Sequence, residues 1–193
     1  MPSRYRRVSS SATASAVGRS RLTFAITWLH ASRTWEKPGR RVPDPIASWG
    51  VKVTMMLCDA AQVADGKLYI LGGGWSMTGP DPVPSAIALK IDVGWHEAEE
   101  PHHWELYLED ADGQPVLVTT PEGDHPIEVR GEFTVGRPAG IPEGSPIDVA
   151  LAVNLGPLPL TPGTRYTWRI SIDGNSETDW MLGFTSRPAR PES

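Results

Sequence analysis

Ile147-Asp148-Val149-Ala150-Leu151-Ala152-Val153-Asn154-Leu155 is the stretch whose reading decides the fold. Its odd positions are all branched and apolar, while its even positions are Asp, Ala, Ala and Asn. In an extended chain successive side chains point to opposite faces, so this alternation builds one dry face and one wetter face. A helix would spread the same residues over its whole circumference, and the stretch is therefore read as a strand laid over a core.

The same period of two recurs on both sides of it. Ile87, Leu89, Ile91 and Val93 alternate with Ala88, Lys90 and Asp92, and Trp104, Leu106 and Leu108 alternate with Glu105, Tyr107 and Glu109. Ile127 to Val135 and Tyr166 to Ile172 behave alike, and Trp180, Leu182 and Phe184 close the series. Asp65-Gly66, Asp112-Gly113 and Asp173-Gly174-Asn175 sit between such runs as hairpin signals, because Gly and Asn tolerate positive φ. Prolines 80, 82, 84, 138, 142, 157, 159 and 162 fall between the runs, where they cost no ladder hydrogen bond. About nine strands, each with one apolar face, need a second sheet to cover that face. The expected fold is all-β: an antiparallel, immunoglobulin-like Greek-key β-sandwich.

One short segment sharpens the expectation. Leu160-Thr161-Pro162-Gly163-Thr164-Arg165-Tyr166-Thr167-Trp168 resembles the tyrosine corner of fibronectin type III and related Greek-key domains. There a Tyr at the start of a strand bonds back to the backbone of the preceding arch.

Charge divides the chain in two. Residues 1–50 hold nine basic residues against Glu36 and Asp44, a balance of +7, whereas the rest holds nine basic and twenty-one acidic residues, a balance of −12. The basic segment shows no strand alternation and no helical stripe, and its Ser/Ala/Thr run and prolines favour a disordered extension. Leu22 to Leu29 is a poor secretory core, Arg6-Arg7 lacks the apolar run of a twin-arginine signal, and the Arg- and Ser-rich character resembles an organelle transit peptide. The leading expectation is that Val51 marks the natural start, with a disordered tail or targeting peptide as alternatives. Residues 51–187 are expected to form the folded domain and 188–193 a flexible tail. The acidic balance argues against nucleic acid as a partner of the folded part, and no apolar stretch is long enough for an ordinary membrane-spanning helix.

Residues with chemical potential are few. Gly72-Gly73-Gly74-Trp75 follows a strand, but no Lys-Ser/Thr follows and no helix opens there, so a bulge or close backbone approach outweighs a phosphate cradle. Cys58, the single Cys of the chain, has no local His to activate it and is expected to be buried and inert. His30, His96, His102, His103 and His125 show no ligand spacing and are expected in solvated loops, and no metal or cofactor is expected. Asp110 and Asp112 share part of a calcium-loop pattern without its third acidic position or its distal Glu, and a hairpin turn accounts for them.

VKVTMMLCDAAQVADGKLYILGGGW (51–75), GEFTVGRPAGIPEGSPIDVALAVNLGPLPL (131–160) and YTWRISIDG (166–174) together resemble a family of small bacterial proteins of unknown function. The likeness runs from about Val51 to Phe184, and family members begin at the equivalent of Val51. It implies no activity, cofactor or catalytic residue. The function expected from the residues is that of a non-catalytic cytoplasmic β-sandwich that binds a protein partner or its own copies. The alternative is a module for a small ligand, carbohydrate or calcium, using Gly72, Gly73, Gly74, Trp75, Asp110 and Asp112.

Overall fold

The computed structural model describes residues 50–189. The basic extension, apart from Gly50, and the last four residues of the expected tail lie outside that range. Twelve strands follow in order: β1 Lys52–Cys58, β2 Ala60–Ala64, β3 Lys67–Leu71, β4 Met77–Thr78, β5 Ser85–Val93, β6 Pro101–Glu109, β7 Leu117–Thr120, β8 Gly123–Pro126, β9 Glu128–Thr134, β10 Ile147–Leu155, β11 Arg165–Ile172 and β12 Met181–Ser186. Among the described residues there is no helix. The chain is all-β and its main strand pairs are antiparallel, with one exception, the short parallel pair of β4 and β12.

Strand number exceeds the expected nine for local reasons. The run from Val51 breaks at Asp59, so β2 becomes a strand of its own and pairs with β3. The Asp65-Gly66 turn therefore joins β2 to β3 rather than bringing β3 back to β1. Neither the two-residue β4 nor β8, which is Gly-Asp-His-Pro, carries apolar alternation. Trp180 lies just before β12, buried, with its carbonyl accepting from the Ile170 N–H at 3.2 Å.

Four sheets result: β1-β5-β10, β4-β12-β11-β6-β9, and the two-stranded β2-β3 and β7-β8. The strand that opened the sequence reading, β10, pairs with β5 over its whole length, from Ile147 opposite Val93 to Leu155 opposite Ser85. Its apolar positions join Val53, Leu57, Ile87, Leu89 and Ile91 on one side of a single core. Trp104, Leu106, Leu108, Phe133, Trp168, Ile170, Ile172 and Phe184 of the five-stranded sheet belong to the same core. Removing each large side chain from water contributes roughly 1.5–3 kcal/mol, most of it offset by chain entropy. The arch before β11 is fastened locally, since the Tyr166 hydroxyl accepts from the Thr161 N–H at 2.8 Å.

The other face of β5 and β10 was expected to be wet, and at one end it is not. Ala86, Ala88, Ala150 and Ala152 present single methyl groups there, and hairpin β2–β3 lies over them through Ala61, Val63 and Leu68. This second, smaller core also takes in Cys58.

Candidate interaction site

The hairpin is built around a two-residue turn. Asp65 and Gly66 have φ of 51° and 70°, the left-handed pair of a type I′ turn, whose twist matches that of the flanking strands. Ala64 therefore pairs with Lys67, Gln62 with Tyr69, and Ala60 with Leu71. Ala61 and Val63 face the alanine seat. Tyr69 and Leu71 face away from it and are 56% and 69% exposed.

A specific clasp holds the hairpin down. The Asn154 side-chain amide donates to the Ala61 carbonyl at 2.9 Å and accepts from the Ala61 N–H at 3.2 Å. Both backbone groups of Ala61 point away from β3, so this amide closes the β2 edge at that residue.

Gly72 to Gly74 carry the chain from β3 back across the end of β1. The Gly74 N–H donates to the Leu57 carbonyl at 2.8 Å, and the Asp59 N–H donates to the Leu71 carbonyl at 3.0 Å. A Cβ on Gly72 would fall 2.0 Å from an Asp59 carboxylate oxygen, and φ there is +61°. A Cβ on Gly73 would lie 2.7 Å from Ile70 Cγ2 and 3.0 Å from Met56 Sδ. Side chains thus crowd both glycines, and Gly72 adds a left-handed φ, whereas a Cβ on Gly74 would meet nothing within 4 Å. The loop also brings exposed Met56 and Ile70 together, on the face of β3 opposite to Tyr69 and Leu71.

Trp75 turns inward after the glycines, edge-on to Phe184 with ring centres 6.1 Å apart. It lines a cavity of about 20 Å³ with Leu57, Pro80, Leu158, Trp168 and Phe184, room for about one water molecule. Its Nε1 is buried with no hydrogen-bond partner among the described residues. Asp110 and Asp112 do not line that cavity. The Asp110 carboxylate instead organises its own turn, accepting from the N–H groups of Asp112 and Gln114 at 2.9 Å each. Among the described residues no three His, Cys, Asp or Glu side chains are grouped as for a metal ion.

Four titratable groups depart from the sequence expectation or sharpen it. His102 is not a solvated loop residue. It is 5% exposed on β6, with Nδ1 2.7 Å from the Asp173 carboxylate and Nε2 3.0 Å from the Glu97 carbonyl. Glu109, on the nominally wet face, is 2% exposed and holds Arg169 in a forked pair at 3.0–3.1 Å. Next to that pair, burial pushes the Tyr107 hydroxyl up to about 12, with the Arg169 charge opposing and the Glu109 charge adding. Cys58 is buried as expected. Burial raises its thiol pKa, the Asp59 charge adds to that, a backbone hydrogen bond at Ala88 opposes it, and its S–H points to the Ala86 carbonyl at 3.4 Å.

Of the residues singled out from sequence, Gly72, Gly73 and Gly74 thus follow the hairpin, Trp75 turns into the main core, and Asp110 and Asp112 belong to a separate turn. Sequence reading passed over Met56, Tyr69, Ile70 and Leu71 as a group. The signal available was Tyr69-Ile70-Leu71, a strand segment apolar on both faces, ending in glycines.

Residues 53–184 match the model of a family of unknown function (DUF6941), and the chain belongs to that family. No curated protein and no solved structure matches it.

Proposed function

We propose that residues 51–187 form an immunoglobulin-like Greek-key sandwich that acts in the cytoplasm as a non-catalytic protein-binding module, with hairpin β2–β3 as its contact surface. Strand order supports the fold. With the hairpins and β4 set aside, seven core strands remain. Their order is first–second–fifth in one sheet and seventh–sixth–third–fourth in the other, the Greek-key arrangement of fibronectin type III domains. The Tyr166 bond to the arch before the sixth strand fits the same plan.

The observation that carries the binding role is the exposure of three consecutive apolar residues, Tyr69, Ile70 and Leu71, along strand β3, with exposed Met56 near Ile70. Scattered exposed apolar residues are ordinary on protein surfaces, but three in a row on an edge strand mark a contact surface. Aromatic anchors such as Tyr69 are enriched in such contacts. The test is a photoreactive phenylalanine analogue placed at position 69 and, as a control, at exposed Glu143, in the full chain in its native host. A covalent adduct from position 69 and none from 143 is the expected outcome. Absence of any adduct at 69 removes the reading.

A further inference from the structure

We infer that the partner at this surface is a second copy of the same chain, joined edge to edge through β3 about a two-fold axis at Tyr69. This inference rests on the binding role given to the hairpin and adds the identity of the occupant.

In a two-residue hairpin the pair flanking the turn is hydrogen-bonded, so Lys67, Tyr69 and Leu71 direct their N–H and C=O groups toward β2. Leu68 and Ile70 direct theirs outward, and among the described residues β3 has no strand on that side. On β2 the corresponding outward groups of Ala61 are taken by Asn154, so β3 is the edge offered to a partner strand. An open edge bearing apolar side chains recruits another strand, and natural proteins blunt such edges unless they are used.

Charge then selects the partner. Lys67 stands at one end of β3 and Asp59 at the other, next to Leu71 and Gly72. Both are exposed, and neither has an ion pair among the described residues. Antiparallel pairing of two β3 strands about Tyr69 sets Lys67 across from Leu71 of the other copy and within a lysine's reach of its Asp59. The two-fold axis makes the contact twice. The strand is therefore complementary to itself in hydrogen bonding, apolar cover and charge, as an isologous interface requires. Tyr69 faces its own counterpart in a non-hydrogen-bonded pair, where Cα atoms stand about 4.5 Å apart.

A cysteine trap tests this on the full chain. Tyr69→Cys under mild oxidation is expected to give a disulfide-linked dimer, since such a Cα separation lies within the roughly 4.4–6.8 Å a disulfide spans. Native Cys58 is fully buried and does not compete. Gln62→Cys, one strand further back in each copy and about 14 Å from its counterpart, is expected to stay monomeric. In sedimentation, Lys67→Asp and Asp59→Lys each weaken wild-type dimerisation about ten-fold, and the double variant restores it. Wild-type protein that sediments as a monomer at several hundred micromolar, with no trapped Tyr69→Cys dimer, overturns the inference. If the photoreactive group at position 69 then still yields an adduct of another mass, protein binding stands and self-pairing alone is lost. If it yields none, both fail. Should either charge variant fail to fold, the cysteine trap still decides.

Discussion

A methyl group at position 131 would sit 2.8 Å from the indole of Trp104, its partner across β6 and β9. Gly131→Ala therefore forces the ring or the strand to move, and is expected to lower stability by about 1–3 kcal/mol, the usual cost of overpacking. Urea unfolding measures it. If stability is unchanged, the indole has room that the geometry denies. Sequence placed Gly131 on the inner side of its strand but could not say why it is glycine, because its neighbour is 27 positions away and reached only through pairing. Tyr166 is the opposite case. Its hydroxyl partner is five residues upstream, so the motif was readable as a string. Tyr166→Phe leaves the Thr161 N–H without its acceptor and should cost about 1–3 kcal/mol, read as a lower thermal midpoint.

Along a strand, alternation reports which way a side chain points and not what meets it there. Tyr107 and Glu109 point away from the main core as their spacing says, yet both are buried, with Glu109 forked to Arg169 of neighbouring β11. His102 points the other way and is satisfied by Asp173 and Glu97, which come from two different loops. The hairpin escaped for a related reason. Leu68 to Leu71 is apolar at every position, and such a run fits a strand buried on both faces as well as one bare at its edge. The Tyr107 environment makes a prediction about alkaline stability. Folding holds this hydroxyl protonated to about pH 12, whereas in the unfolded chain it ionises near its ordinary value of 10.0. The stabilisation is complete below pH 10 and is lost as pH rises from there toward 12, because the unfolded state releases its proton first. Unfolding free energies at pH 9, 10 and 11 should fall more steeply for wild type than for Tyr107→Phe. Parallel slopes would show that the hydroxyl is freely hydrated.

At the scale of the molecule, two sheets sharing one core were legible because six long alternating runs demanded them. The second core on the far side of β5 and β10 was not, since alanine reads equally well as a small buried residue or a tolerated surface one. Exposed Met56, Tyr69, Ile70 and Leu71 could be recognised only once the hairpin had a place. The glycines beside them read in the sequence as a bulge or a close backbone approach; in the structure side chains crowd Gly72 and Gly73 and leave Gly74 open. Asn154→Ala should loosen the hairpin while leaving the main core intact. In hydrogen exchange, the β2 and β3 amides should exchange at least ten-fold faster and those of β6 and β11 at unchanged rates. Uniform acceleration everywhere would mean that the hairpin and the sheets melt as one unit.

Methyl groups offer little for a covering strand to interlock with, so the hairpin is seated by area and located by a single amide. The hairpin thereby stands apart from the two-sheet body that keeps this molecule folded. Tyr69 and Leu71 are exposed and belong to neither core, so substitutions there leave the two-sheet body beneath them as it is.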